Sequence, residues 1–348
     1  MGSRALIEKA LPALKKRFIG VVCSRLPFEG PEHDLALYRT RQLFDYTVVG
    51  GKYARATLSL DATRALQPHL QPESREMSAI AVASSTMEMI QSYYLIADDI
   101  MDKSEMRRGK PCWYKQPGIG FSAINDAFLL DSVVEDILRA ELPGHVNIDR
   151  VCEAYRRAKQ KTLVGQMLDT SSCGQVESFT WDRYELIVEN KTSHYSVFHP
   201  IEQALLISDV LAFHGDVKRV AYQIGFLFQS QDDILDVYGD PETTGKIGTD
   251  IEDGKCTWLT VRALQKIQSA QNRDLFEKFK KNYGKPEKEA GDIVKQMFRD
   301  LRLLDEFRVF ESKFAEQIST SIENLPEEVG LLRPILNDFV GKMRARKY

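Results

Sequence analysis

Apolar residues recur at intervals of three and four along nearly the whole chain, whereas the strict alternation of a half-buried strand is scarce. The spacing predicts helices over 77–102, 148–170, 183–213 and 217–238, each long enough to carry a core face. The fold class read from this pattern is all-α. Two segments interrupt it: 103–120 (KSEMRRGKPCWYKQPGIG) and 239–257 (GDPETTGKIGTDIEDGKCT) combine Gly and Pro with Lys or Arg. Each directly follows an acidic helix end, a place where loops often carry function. No internal repeat, low-complexity tract or Pro/Ser-rich linker divides the chain, so one domain is expected over 1–348.

Composition adds exclusions. With 43% hydrophobic and 28% charged residues the 348-residue chain is an ordinary globular one, and its net charge of -3 argues against generalised nucleic-acid binding. Anionic ligands would have to be held by local cations. No apolar run approaches the ~20 residues that cross a bilayer. The five cysteines are scattered and odd in number, as expected of reduced intracellular thiols. The first 25 residues set Arg4, Lys9, Lys15, Lys16, Arg17 and Arg25 against Glu8 alone, the bias of an organelle transit peptide. Interleaved Leu6, Leu11 and Leu14 read instead as an ordinary amphipathic first helix, the preferred reading. Cytoplasmic location is expected, with mitochondrial import if the basic stretch serves as an address.

Candidate chemistry lies at two acidic clusters. LIADDIMD carries Asp98, Asp99 and Asp102, and FQSQDDILD carries Asp232, Asp233 and Asp236, in the same D-D-x-x-D spacing. Positions i, i+1 and i+4 span an arc of about 100° on a helix, so the three carboxylates are expected on one face. Like charges one turn apart cost ~0.2–0.5 kcal/mol per pair, and the helix C-terminal dipole adds to that cost. A divalent cation turns the repulsion into affinity. Oxygen donors without soft ligands suit Mg²⁺ rather than Zn²⁺, with substrate phosphates completing its shell. The plain alternative is a solvated acidic face, but two copies arise by chance in roughly one chain in a thousand.

Two such motifs, each followed by a basic loop, resemble the aspartate-rich motifs of the trans-prenyltransferases, or polyprenyl synthases. The surrounding sequence, from GGKYAR near residue 50 to the basic C-terminus, is similar to the eukaryotic farnesyl diphosphate synthase family. The resemblance implies the isoprenoid synthase fold, about ten antiparallel helices around a deep cavity, usually as a homodimer. It implies head-to-tail condensation of isopentenyl diphosphate with dimethylallyl and then geranyl diphosphate. It also implies about three Mg²⁺ held by Asp98, Asp102 and Asp232, with Asp99, Asp233, Asp236 and Asp250 holding metal-bound water.

Other roles follow from the same resemblance. Gly50-Gly51-Lys52-Tyr53-Ala54-Arg55 alone would read as a surface turn, but in the family this Lys52 and Arg55 bind isopentenyl diphosphate together with Gln91 and Arg108. Arg107, Lys191, Lys246 and Lys255 match groups that hold the allylic diphosphate. Lys191-Thr192 resembles a helix-kink dipeptide whose oxygens face the allylic cation, with Gln229 and Tyr195 beside it, and Gln166 with Asp169 forms a further polar pair. Without that resemblance these would be surface lysines and hydrogen-bonded core residues. Tyr93 and Tyr94 lie about one turn before Asp98, where paired aromatics go with a C15 product.

Ala54, His194 and His199 depart from the family pattern and raise the expectation of altered allylic-substrate preference. A terpene synthase would have no use for Lys52, Arg55, Gln91 and Arg108. A regulatory subunit would be expected to have lost a metal-binding Asp, and none is lost.

Overall fold

The computed structural model describes residues 1–26, 29–212, 214–240 and 248–344; Lys246 lies outside them. The chain divides into two compact units, Met1–Arg156 with Pro200–Ala212, and Arg157–His199 with Phe213–Tyr348.

The first unit is built on the helix Arg75–Met101. Small and apolar residues bury most of its length, and the Ser74 side chain accepts from the Met77 N–H at its start. Helices Ser3–Ser24, Ala54–Leu66, Ala123–Ser132 and Val134–Glu141 pack against it. The first helix buries Leu6, Ile7, Leu11, Leu14 and Phe18. Two of its cations, and the Arg25 that follows it, are paired within the unit: Lys15 with Asp45 at 2.6 Å, Arg17 with Glu141 at 2.5 Å and Arg25 with Asp136 at 3.2 Å. It is therefore a packed core helix, as preferred from its leucines. After Arg75–Met101 the chain turns back as a hairpin, Met106–Arg107 against Lys110–Pro111. Arg108 (φ 54°) and Gly109 (φ 72°) both take the left-handed conformation that a tight two-residue hairpin turn requires.

The second unit centres on the helix His214–Tyr238, which packs against the segment Glu189–Phe198 and the helices Trp258–Ser269 and Leu303–Glu323. Its core is aromatic: Trp258 meets Phe307 and Phe310 with ring centroids 5.0 and 5.5 Å apart, and Phe226 stands edge-on to Tyr184.

Three of the four predicted helices end within three residues of their observed limits, at Arg75–Met101, Ile148–Ser172 and His214–Tyr238. The fourth differs. Residues 183–213 form an α-helix Trp181–Val188, a π-helical stretch Glu189–Phe198 and an α-helix His199–Ile207. The last of these stops at Ile207 because Asp209 takes a positive φ of 53° and accepts from the Asn147 side-chain amide at 2.8 Å. No helix among the described residues is long and apolar enough to cross a membrane.

Candidate active site

In the first unit Asp98 and Asp99 close the helix Arg75–Met101, and Asp102 caps it with its N–H on the Asp98 carbonyl at 2.8 Å. The three carboxylates do not share one environment. Asp98 and Asp102 are half-buried, whereas Asp99 is 3% exposed and turned into the protein. The expectation of one common face is corrected: i and i+4 stack along the helix, and the residue at i+1 lies at the edge of the arc, where it meets the hairpin. Arg107 Nε and Nη2 donate to Asp99 Oδ1 at 2.9 and 2.5 Å, and Nη2 lies 3.7 Å from Asp98 Oδ2. Burial raises the Asp99 pKa despite that guanidinium. Cys112, 1% exposed, sits against the same carboxylate; burial and the Asp99 charge push its thiol up to about 12.

The cationic turn is built beside this helix. Gly50 (φ 90°) donates its N–H to the Tyr53 hydroxyl at 2.7 Å, and Tyr53 (φ 53°) leads into the helix Ala54–Leu66. Lys52 and Ala54 are exposed, Arg55 is half-buried and Gln91 is 8% exposed. Arg108 crosses to this turn, donating from Nη1 to the Thr47 carbonyl at 3.0 Å. Glu88, one turn before Gln91, is 4% exposed. Burial raises its pKa, while Arg55, Arg108 and a 3.5 Å contact from the Ala56 N–H act to lower it. Sequence reasoning missed Glu88, although a lone acid in the run MSAIAVASSTMEMIQS is a legible signal.

The second triplet repeats the pattern. Asp232 and Asp236 are half-buried, and Asp233 is 3% exposed. Asp233 Oδ2 accepts from the Tyr184 hydroxyl at 2.7 Å and the Trp258 N–H at 2.9 Å, and Oδ1 accepts from Gln229 Nε2 at 2.8 Å. Burial lifts its pKa from 3.8 to about 6, with those hydrogen bonds opposing. Asp236 Oδ2 accepts from the Asp250 N–H at 2.9 Å, anchoring the later half of the second basic loop.

Lys191 and Thr192 occupy the π-helical stretch, whose wide turns often mark functional sites. Thr192 Oγ1 donates to Gln229 Oε1 at 2.6 Å, so Thr192, Gln229 and Asp233 form one oriented chain of donors and acceptors. Lys191 Nζ lies 2.6 Å from Asp169 Oδ2, and Lys255 Nζ lies 4.0 Å from the same oxygen. Gln166, on the same helix as Asp169, is half-buried with its Nε2 lacking a hydrogen-bond partner; Tyr195 is half-buried on the π-helical stretch. Two glycines allow this arrangement. A Cβ on Gly165 would lie 2.2 Å from the Lys191 nitrogen, and one on Gly225 would lie 2.5 Å from Ser193 Cα. Isolated glycines inside helical patterns are the signal that points to such close approaches.

Tyr93 and Tyr94 lie with ring centroids 5.0 Å apart, and Phe128 stands 6.3 Å from Tyr93. His194 and His199, 1% and 3% exposed, are packed residues. His194 Nδ1 meets the Tyr222 hydroxyl at 2.8 Å and its ring lies 5.3 Å from Phe198, so the departure at position 194 falls in the unit's interior.

Among the described residues no three or more Asp, Glu, His or Cys side chains converge to form a metal cage. Pairs of half-buried carboxylates with only oxygen donors fit a hard cation that keeps water and substrate phosphate in its shell.

The polyprenyl synthetase family model matches residues 38–301. Farnesyl pyrophosphate synthase 1 of Cannabis sativa is 38% identical over 318 residues, covering 90% of this chain and 92% of its own length. The human farnesyl pyrophosphate synthase is 37% identical, covering 88% and 75%, and that of Schizosaccharomyces pombe is 35% identical, covering 99% and 98%. A Trypanosoma brucei farnesyl diphosphate synthase complexed with risedronate superposes with a TM-score of 0.89 at 29% identity, over 99% of this chain and 100% of that one. The isoprenoid synthase fold that the family resemblance implied is thus the fold of this chain, which belongs to the polyprenyl synthetase family.

Proposed function

We propose that the chain is a farnesyl diphosphate synthase, condensing isopentenyl diphosphate head-to-tail with dimethylallyl and then geranyl diphosphate. The reading is supported by full-length relatives that carry that name. The observation that carries it is the retention of both aspartate triplets together with two separate cationic sets, Lys52, Arg55 and Arg108 in one and Lys191 and Lys255 in the other. Two diphosphates need two such sets; an enzyme that only ionises one substrate needs a single one.

Asp98, Asp102 and Asp232 would hold Mg²⁺, about three ions as in the family, and the ions would supply Lewis-acid neutralisation of the departing diphosphate. Arg107, Lys191 and Lys255, with Lys246 from the same loop, add positive charge where the leaving group gathers negative charge. Asp99 and Asp233 hold Arg107 and Gln229 in place, and Asp236 holds the Asp250 loop. The Thr192 hydroxyl donates its hydrogen bond to Gln229 Oε1, which leaves the Thr192 oxygen lone pairs free to stabilise the allylic cation. Lys52, Arg55, Gln91 and Arg108 fix isopentenyl diphosphate so that its alkene meets that cation, and Glu88 beneath them balances their charge. Gln166, with its unpartnered amide, and Tyr195 add polar groups for the substrate. Released diphosphate takes the final proton. Tyr93 and Tyr94 close the floor at C15. We further propose that the chain acts as one domain, as a homodimer, in the cytoplasm.

Incubation with Mg²⁺, isopentenyl diphosphate and geranyl diphosphate tests the reading. A C15 diphosphate is expected; terpene alcohols or hydrocarbons formed without consuming isopentenyl diphosphate would overturn it.

A further inference from the structure

A half-open cavity of about 1090 Å³ lies in the first unit, apart from every residue assigned above. Four segments line it, one of them contributing Ile207 alone. Ala13, Lys16, Arg17, Gly20, Val21 and Ser24 form one stripe of the helix Ser3–Ser24. The first two turns of Arg75–Met101 form a second wall, and the chain from Ile137 to His145 a third. The space is empty above Gly20, where an added Cβ would meet nothing within 4 Å. The deeper lining is apolar, including Ile80, Val82, Ile137 and Leu142, all buried.

The charges on the rim are unevenly matched. Arg17 is tied to Glu141 at 2.5 Å, and both His145 ring nitrogens are engaged, Nε2 with the Ile207 carbonyl at 2.9 Å and Nδ1 with the Asn147 N–H at 3.1 Å. Among the described residues that leaves Lys16 and Arg75, both exposed and without a carboxylate partner, against Glu76 alone. Lys16 stands out because its neighbours Lys15 and Arg17 are both paired. The positive end of the 27-residue helix Arg75–Met101 opens on the same side.

We propose that this cavity binds an amphipathic anion, a single apolar chain with a phosphate-type head, as a site separate from the catalytic one. Lys16 and Arg75 meet the head, since two cations without partners favour a dianion and Arg suits phosphate geometry. The tail lies along Ala13, Val21, Ala79, Ala140 and Pro143, the apolar lining that is still open to water, and covers it. The site does not depend on which prenyl diphosphate the enzyme makes.

The test is calorimetric titration of the full-length protein with dodecyl phosphate below its micellar concentration, with dodecanol and inorganic phosphate as separate arms. The Gly20→Leu variant fills the empty space with a residue of better helix propensity, and its retained condensation activity certifies its fold. Saturable dodecyl phosphate binding is expected in the parent protein. It should disappear in Gly20→Leu and weaken about tenfold or more in Lys16→Glu/Arg75→Glu. Absence of binding to the parent, or binding unchanged in both variants, would overturn the site. Equal affinity for dodecanol would overturn the head-group assignment, and equal affinity for inorganic phosphate would overturn the apolar half.

Discussion

Lys191 Nζ and Asp169 Oδ2 stand 2.6 Å apart, linking the π-helical stretch to the helix Ile148–Ser172. Asp169 is 5% exposed, so its charge is compensated mainly by this ammonium and by Lys255 nearby. Replacing Asp169 by Asn removes the attraction while keeping the shape. Asp169→Asn is expected to lower kcat about tenfold or more, because the leaving-group cations lose their positions, with KM for isopentenyl diphosphate little changed. Steady-state kinetics with each substrate varied in turn would check this, and a selective rise in the isopentenyl KM would refute it.

The outer and middle aspartates should part company under mutation. Asp98→Ala and Asp232→Ala are expected to cost about a hundredfold or more in turnover while leaving the melting temperature near that of the parent. Asp233→Ala instead strands the Tyr184 hydroxyl and Trp258 N–H, at about 1–3 kcal/mol for each group left without an acceptor. Urea unfolding and turnover measured on the same preparations separate the two behaviours. Wild-type turnover in Asp98→Ala would remove the metal role.

The product should lengthen when the floor is opened. Tyr93→Ala/Tyr94→Ala deletes two rings in mutual contact beside Phe128. Chromatography of the extracted prenyl alcohols is expected to show C20 and longer chains, and a persistent C15 distribution would defeat the assignment.

Much of this was legible from spacing. The D-D-x-x-D repeats and the basic loops are short-range patterns, and the helices carrying them have strong apolar periodicity. The partners of Asp233 were not legible, since Tyr184 and Trp258 reach it from distant parts of the chain and carry no local signal. Nor was the π-helical stretch: ENKTSHYSVF has the polarity of an ordinary helix, and only close packing against Gly165 and Gly225 distinguishes it. The shared-face argument for the triplets failed at i+1, where tertiary contacts with Arg107 and Tyr184 took the middle carboxylate.

Acid should destabilise the second unit through its histidines. Burial first, then the neighbouring His199 and the positive charges of Lys161, Arg157 and Lys218, hold His194 down at about 3, and burial with Arg157 does the same for His199. Both pKa values are depressed on folding, so the unfolded chain takes up more protons between pH 6.5 and 3 and stability falls as pH drops. The expected loss is about 2 kcal/mol per histidine between pH 7 and pH 5. His194→Gln should flatten that slope in urea titrations at the two pH values; an unaltered slope would count against a buried neutral ring.

The docked first helix bears on how such a chain could be sorted. Leu14 and Phe18 are fully enclosed, and Lys15, Arg17 and the following Arg25 are clasped by acids elsewhere in the unit. An import receptor could read this basic stretch only before folding, and a processing peptidase that trimmed it would tear open the hydrophobic interior, at about 2–5 kcal/mol for each large side chain removed. The stretch is thus a structural member that any delivery route has to leave attached.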